Sequence, residues 1–129
     1  MLDQLRLVMP GIDRSATVLR VFSDYVALTK PPIVLLLLIT AIGGMFLAAR
    51  GGPSLSIILL VCAGGALGAG GANALNHFLD KDIDLLMSRT MRRPVASERI
   101  SPAKALAFGI LLNILAFLVL AAWVNVLAA

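Results

Sequence analysis

The chain has 129 residues, 60% of them hydrophobic and only 14% charged, and a mean hydropathy of +0.97. That balance excludes an ordinary soluble domain and predicts an all-α, polytopic membrane protein. The formal net charge of +4 comes from bases that flank apolar runs without aromatic stacking partners, which excludes a nucleic-acid-binding surface.

Residues 1–30 mix acids and bases and lack an apolar core long enough for a cleavable signal, so they read as a cytoplasmic arm. Leu19, Val21, Phe22, Tyr25, Val26 and Leu28 make part of the arm weakly amphipathic and suit it to a membrane surface. Lys30-Pro31-Pro32 marks the entry to a first span, because proline fits the first turn of a helix. Spans are expected at about residues 31–49, 55–79 and 105–127, each near the ~20 residues that the hydrocarbon layer requires. Gly43-Gly44 in the first span allows close helix contact. Arg50-Gly51-Gly52-Pro53 is a tight turn that makes the first two spans an antiparallel hairpin.

The second span is rich in glycine. Gly64, Gly68 and Ala72 form a ridge of small residues that either packs against a neighbouring helix or leaves a smooth groove for a hydrocarbon chain. Cys62, the single cysteine, reads as a structural thiol. At the end of the span Asn76, Asp80 and Asp84 recur every fourth residue. On a helix each such step turns by about 40° and rises about 6 Å, so the three form an acidic ridge about 12 Å long, with Asp82 pointing elsewhere. Two carboxylates one turn apart repel each other unless positive charge lies between them. Mg²⁺ suits that place, since it commonly uses one or two carboxylates plus substrate phosphates.

Arg89, Arg92 and Arg93 follow within a few residues, and guanidinium forks match phosphate oxygens. The bland alternative is a solvated helix end at which acids and bases merely pair. Asp82 expects Lys81 or Arg89 as its partner, and His77 reads as a polar side chain at the rim of the acidic ridge. Residues 85–101 are polar and basic, and Arg93-Pro94 ends any helix there. Ser101-Pro102 opens the third span as N-cap and first-turn proline. Asn113 within that span reads as an interhelical hydrogen bond, and Trp123 as an interface anchor.

The bases are unevenly placed. Arg6, Arg14, Arg20 and Lys30 precede the first span, and Lys81, Arg89, Arg92, Arg93, Arg99 and Lys104 lie between the second and third. Arg50 alone lies between the first and second. The positive-inside rule therefore puts the N-terminus and residues 80–104 in the cytoplasm, as in a multi-pass protein of the cell inner (plasma) membrane.

Asn76-x-x-x-Asp80-x-x-x-Asp84, followed by Arg89-Thr90-Met91-Arg92-Arg93-Pro94, resembles the first aspartate motif of the UbiA-type intramembrane prenyltransferases, with their Arg-Thr-x-x-Arg-Pro. The stretch from Asp24 to Pro31, the run Ala72-Asn73-Ala74-Leu75-Asn76, and Asp82-Ile83-Asp84-x-x-Met87-x-Arg89-Thr90 are similar to the heme-farnesylating branch of that family. The resemblance covers residues from about 24 to the end. It implies Mg²⁺ held by Asp80, Asp84 and Asn76, and farnesyl diphosphate held by Arg89, Arg92, Arg93 and Lys30. It also implies heme B as the acceptor, whose vinyl group takes the farnesyl chain to give heme O. A quinone precursor or a chlorophyllide as acceptor is the nearest alternative, and a non-catalytic membrane module is the alternative from another class.

Two positions depart from the family pattern. Pro32 stands where an arginine is common, and Glu98-Arg99 stands where a Gly-Arg pair is common. Members of the family resemble one another in having about nine spanning helices of ~20 apolar residues and a second aspartate motif on a later helix. By that resemblance residues 31–129 are the N-terminal part of a larger transmembrane domain and hold half of a two-motif site, inactive alone.

Overall fold

The computed structural model describes residues 14–129, which form helices and turns with no strand among them. The first 13 residues of the arm, Arg6 included, lie outside the described residues. Five helices follow in order: α1 (Arg14–Thr29), α2 (Pro31–Ala48), α3 (Leu55–Leu79), α4 (Lys81–Leu86) and α5 (Pro102–Trp123). α2, α3 and α5 are long and apolar enough to cross a membrane, so the chain is a multi-pass membrane protein.

The helix ends follow local chemistry. α1 stops at Thr29, and its last free carbonyl accepts a hydrogen bond from Asn73 Nδ2 on α3 at 2.9 Å. Lys30 then takes a left-handed conformation (φ 50°, ψ 66°) that separates α1 from α2, with Pro31 opening the new helix. Gly51 (φ 94°) and Gly52 (φ 89°) turn the chain between α2 and α3. Ser54 caps α3 by accepting from the Ile57 amide, and Ser101 caps α5 by accepting from the Lys104 amide at 3.3 Å. α5 thus starts at Pro102, before the expected 105, and ends at Trp123, before the expected 127. Asn125 ends it early, because its side-chain oxygen accepts from the Ala128 amide at 2.7 Å and favours a local turn over further helix.

The main interface is between α3 and α5. The small-residue ridge of α3 meets this chain's own α5, with Gly64 against Leu120 and Gly68 against Ala116. Packing is the use of the ridge at Gly64 and Gly68, while Ala72, its third member, is exposed. The closest approach is Gly71 against Gly109. A Cβ on Gly71 would lie 2.8 Å from the Gly109 carbonyl oxygen, and one on Gly109 would lie 3.0 Å from the Gly71 carbonyl oxygen.

Two expectations fail in the helices. Asn113 donates to the Gly109 carbonyl of its own helix at 2.8 Å and makes no interhelical bond; α3 and α5 are so close here that the amide folds back along its own turn. Gly43 and Gly44 have nothing within 4 Å of an added Cβ, so no described residue uses their smallness. No residue of α2 is buried.

The compact core lies at the end of the bundle opposite the Gly51-Gly52 turn. Leu28 of α1, Ala74 of α3, Ala105 of α5, and Val95 and Ile100 of the α4–α5 connection are all buried there, with Tyr25 and Phe108 packed against them. The Tyr25 and Phe108 rings meet edge to face at 5.0 Å. The C-terminal half of α1 is therefore docked on the bundle, while Val18, Leu19 and Phe22 stay exposed.

Candidate functional site

α3 ends at Leu79 and Asp80 sits at the junction (φ −90°, ψ 0°) before α4 begins. The four-residue register runs through that junction. The Asp80 amide donates to the Asn76 carbonyl and the Asp84 amide to the Asp80 carbonyl, both at 2.8 Å. The environments along the register diverge. Asn76 is exposed, Asp80 half-buried and Asp84 buried.

Asp84 is the most constrained of the acids. Its Oδ1 accepts from Arg93 Nη1 at 2.8 Å. Its Oδ2 is buried and has no hydrogen-bond partner. A buried carboxylate oxygen without a partner is costly, so this atom is the one polar group of Asp84 left open to a further ligand. Thr90 holds the following segment against it: its hydroxyl donates to the Asp84 carbonyl at 2.9 Å, and the side chain is buried. Asp82 behaves as its position off the ridge requires. It is exposed and pairs with Lys81 at 3.4 Å.

His77 corrects its expectation. It is buried, not at a rim, and neither ring nitrogen has a hydrogen-bond partner. The physical reason is the turn of about 100° per residue, which sends the residue after exposed Asn76 into the bundle. Lys30, Arg93, Asp80 and Asp84 all lie close enough for their charges to act on the His77 ring. Lys30, 47 positions before His77 in the chain, is thereby placed within electrostatic reach of that ring. Arg89 and Arg92 are exposed and Arg93 is half-buried.

The donor set suits a hard cation. Asp84 Oδ2, the Asp80 carboxylate and the Asn76 amide all offer oxygen atoms, the donor type a hard cation prefers. No three His, Cys, Asp or Glu side chains converge as a ready-made cage among the described residues. Mg²⁺ asks for less, since waters and substrate phosphates complete its shell. Beside Lys30, an apolar groove of about 740 Å³ runs between the start of α2, α3 and α5, lined in part by Thr29, Pro31, Leu35, Leu38, Leu67 and Leu112.

Sequence reasoning missed two contacts of the α4–α5 connection, namely the buried Thr90 hydroxyl on the Asp84 carbonyl and an ion pair between the exposed Arg99 Nη1 and Asp24 Oδ1 at 3.1 Å. The available signal was Asp24 heading the stretch to Pro31.

A model described as the UbiA prenyltransferase family matches residues 37–129. Protoheme IX farnesyltransferase of Streptomyces avermitilis is 54% identical over 105 residues, which cover 81% of this chain and 34% of that protein. Proteins of the same name from Symbiobacterium thermophilum and Trichodesmium erythraeum are 50% and 47% identical, over 85% and 90% of this chain and 37% and 35% of theirs. The chain thus spans about a third of the length of these curated relatives. No solved structure matches it.

Proposed function

Since the chain belongs to the UbiA prenyltransferase family, we propose that it supplies the first diphosphate-binding half of a farnesyl transfer site. The complete enzyme would move a farnesyl group from farnesyl diphosphate to a vinyl group of heme B, giving heme O. The observation that carries this reading is Asp84, with one oxygen on Arg93 and the other buried and open. The relatives named protoheme IX farnesyltransferase support heme B over a quinone precursor or a chlorophyllide.

Asp84 through Oδ2, Asp80 and Asn76 are the residues that would hold Mg²⁺, which when bound offsets the negative charge of a diphosphate. Arg89, Arg92, Arg93 and Lys30 bind the diphosphate oxygens and stabilise the charge that builds on the leaving group. The C1–O bond of the farnesyl group breaks with its electron pair going to the diphosphate. The terminal vinyl carbon of heme B bonds to C1, and water adds to the inner vinyl carbon and loses a proton. The groove beside Lys30 takes the farnesyl chain. Residues 80–104 and the N-terminus face the cytoplasm of a cell inner (plasma) membrane, where a soluble diphosphate leaves readily.

The test is co-expression of this chain with the C-terminal two thirds of the Streptomyces avermitilis relative, followed by mass analysis of membrane hemes. Heme O should form, and Asp84→Asn should abolish it. Absence of heme O, with a prenylated quinone precursor or chlorophyllide in its place, would redirect the acceptor. An undiminished yield from Asp84→Asn would sink the site.

A further inference from the structure

Arg99 lies outside the acidic register, yet every side of its guanidinium is engaged. Nη1 meets Asp24 Oδ1 at 3.1 Å, Nη2 donates to the Arg92 carbonyl at 2.8 Å, and Nε donates to Ser97 Oγ at 3.1 Å. Ser97 passes the restraint on. Its amide and its hydroxyl both donate to the Arg93 carbonyl at 2.8 Å. The Arg93 amide donates to the Thr90 carbonyl at 3.0 Å. Both peptide groups that flank the Arg93 Cα are therefore tied down, which fixes the direction in which its side chain leaves the backbone. That side chain ends on Asp84.

An ordinary exposed ion pair contributes little. This one differs in two ways. Its Asp24 side is only 14% exposed while Arg99 is 52% exposed, and the planar fork of arginine serves three acceptors at once, which a lysine ammonium does not reproduce. Asp24 belongs to α1, whose Tyr25 and Leu28 pack on the bundle, so the anchor itself is held. We propose that Asp24 and Arg99 form a clasp that aims Arg92 and Arg93 at the diphosphate. They are positioning residues, and α1 is part of the device that shapes the site. The functional half of this inference rests on the prenyl transfer reading; the mechanical half does not.

Two measurements separate the halves. The first uses this chain in lipid nanodiscs with labelled arginine side chains, and reads solvent exchange of the Arg93 guanidinium by NMR. Asp24→Asn and Arg99→Lys should each speed that exchange on the order of tenfold, the scale expected for losing a charge-assisted hydrogen bond. Amide protection across α3 and α5 should stay the same. Asp24→Glu, which keeps the carboxylate, should restore slow exchange. Should Asp24→Asn unfold the chain, Arg99→Lys alone decides. Unchanged Arg93 exchange in Arg99→Lys overturns the clasp.

The second uses the co-expressed assembly. Arg99→Lys should lower kcat/KM for farnesyl diphosphate on the order of tenfold, since misaimed arginines lose both diphosphate binding and leaving-group stabilisation, and Asp24→Glu should keep it near that of the unsubstituted assembly. An unchanged kcat/KM in Arg99→Lys overturns the positioning role. If the unsubstituted assembly makes no heme O, the prenyl transfer reading fails, while the exchange measurement still decides the clasp.

Discussion

Asp84 and Asp82 stand two residues apart and meet opposite surroundings. Asp84 is buried, with Arg93 on one oxygen and an unpartnered second oxygen. Asp82 has 83% of its side chain exposed and a single contact to Lys81. In the complete enzyme Asp84→Asn should lower the transfer rate at least ~100-fold, as loss of one preorganised electrostatic group does. Asp82→Asn should stay within about twofold. Initial rates in membranes decide, and equal losses at the two positions would remove the case for a register-specific site. Lys30 makes a second test. Its left-handed backbone costs a non-glycine residue about 1–2 kcal/mol, and strain of this kind persists where the surroundings demand it. Lys30→Gly should therefore raise stability by about 1 kcal/mol in thermal unfolding, the left-handed penalty less the entropy cost of glycine, while KM for farnesyl diphosphate rises. Loss of stability without any change in KM would make Lys30 structural. The spacing of Asn76, Asp80 and Asp84 was legible in the sequence because it is periodic. The burial of His77 was not, because which face turns inward depends on α1 and α5, far away in the chain.

The same contrast holds for whole elements. The three spans are legible because a run of ~20 apolar residues has few other uses. The α4–α5 connection is not, because its apolar residues Val95 and Ile100 are isolated in a basic stretch and gain meaning only beside Leu28. That connection also gives the departure at Glu98 a structural meaning. Glu98 has φ 61°, a conformation that suits glycine, and the Gly-Arg pattern of the family falls at this place. Glu98→Gly should raise stability by about 1 kcal/mol, the left-handed penalty less the entropy cost of glycine, and thermal unfolding in detergent would show it. A lower midpoint would mean that the Glu98 side chain holds the turn. The α3–α5 contact predicts the opposite sign. Gly71→Ala forces a methyl against the Gly109 carbonyl and should cost about 1–3 kcal/mol, as overpacking does. Gly43→Ala, with open space around it, should cost nothing measurable in the same assay.

At the scale of the molecule, charge and contact agree on one end. The Asp24–Arg99 pair and the buried cluster of Leu28, Val95 and Ile100 put α1 on the same side as the α4–α5 connection. The Gly51-Gly52 turn lies at the other end of the α2–α3 hairpin, where Arg50 is the nearby base. Single cysteines at Ser88 and Gly51, in a Cys62→Ser background, should label from the cytoplasmic and the opposite side respectively; labelling of Gly51 from the cytoplasm would invert the topology. The acids and guanidiniums surround a diphosphate from this end of α3 only. Transition-state stabilisation needs groups placed on every side of the leaving group, and a fixed pose for the acceptor. α2, with no buried residue, leaves an apolar flank that acyl chains cover as well as helices do, since lipid and leucine are equally apolar. The 129-residue chain should therefore fold in a bilayer yet show no farnesylation of heme when purified, and activity should appear on adding the C-terminal two thirds of a relative. Robust transfer by the purified chain alone would overturn the half-site reading, because the groups around Asp84 would then suffice to hold and ionise the diphosphate without a facing set.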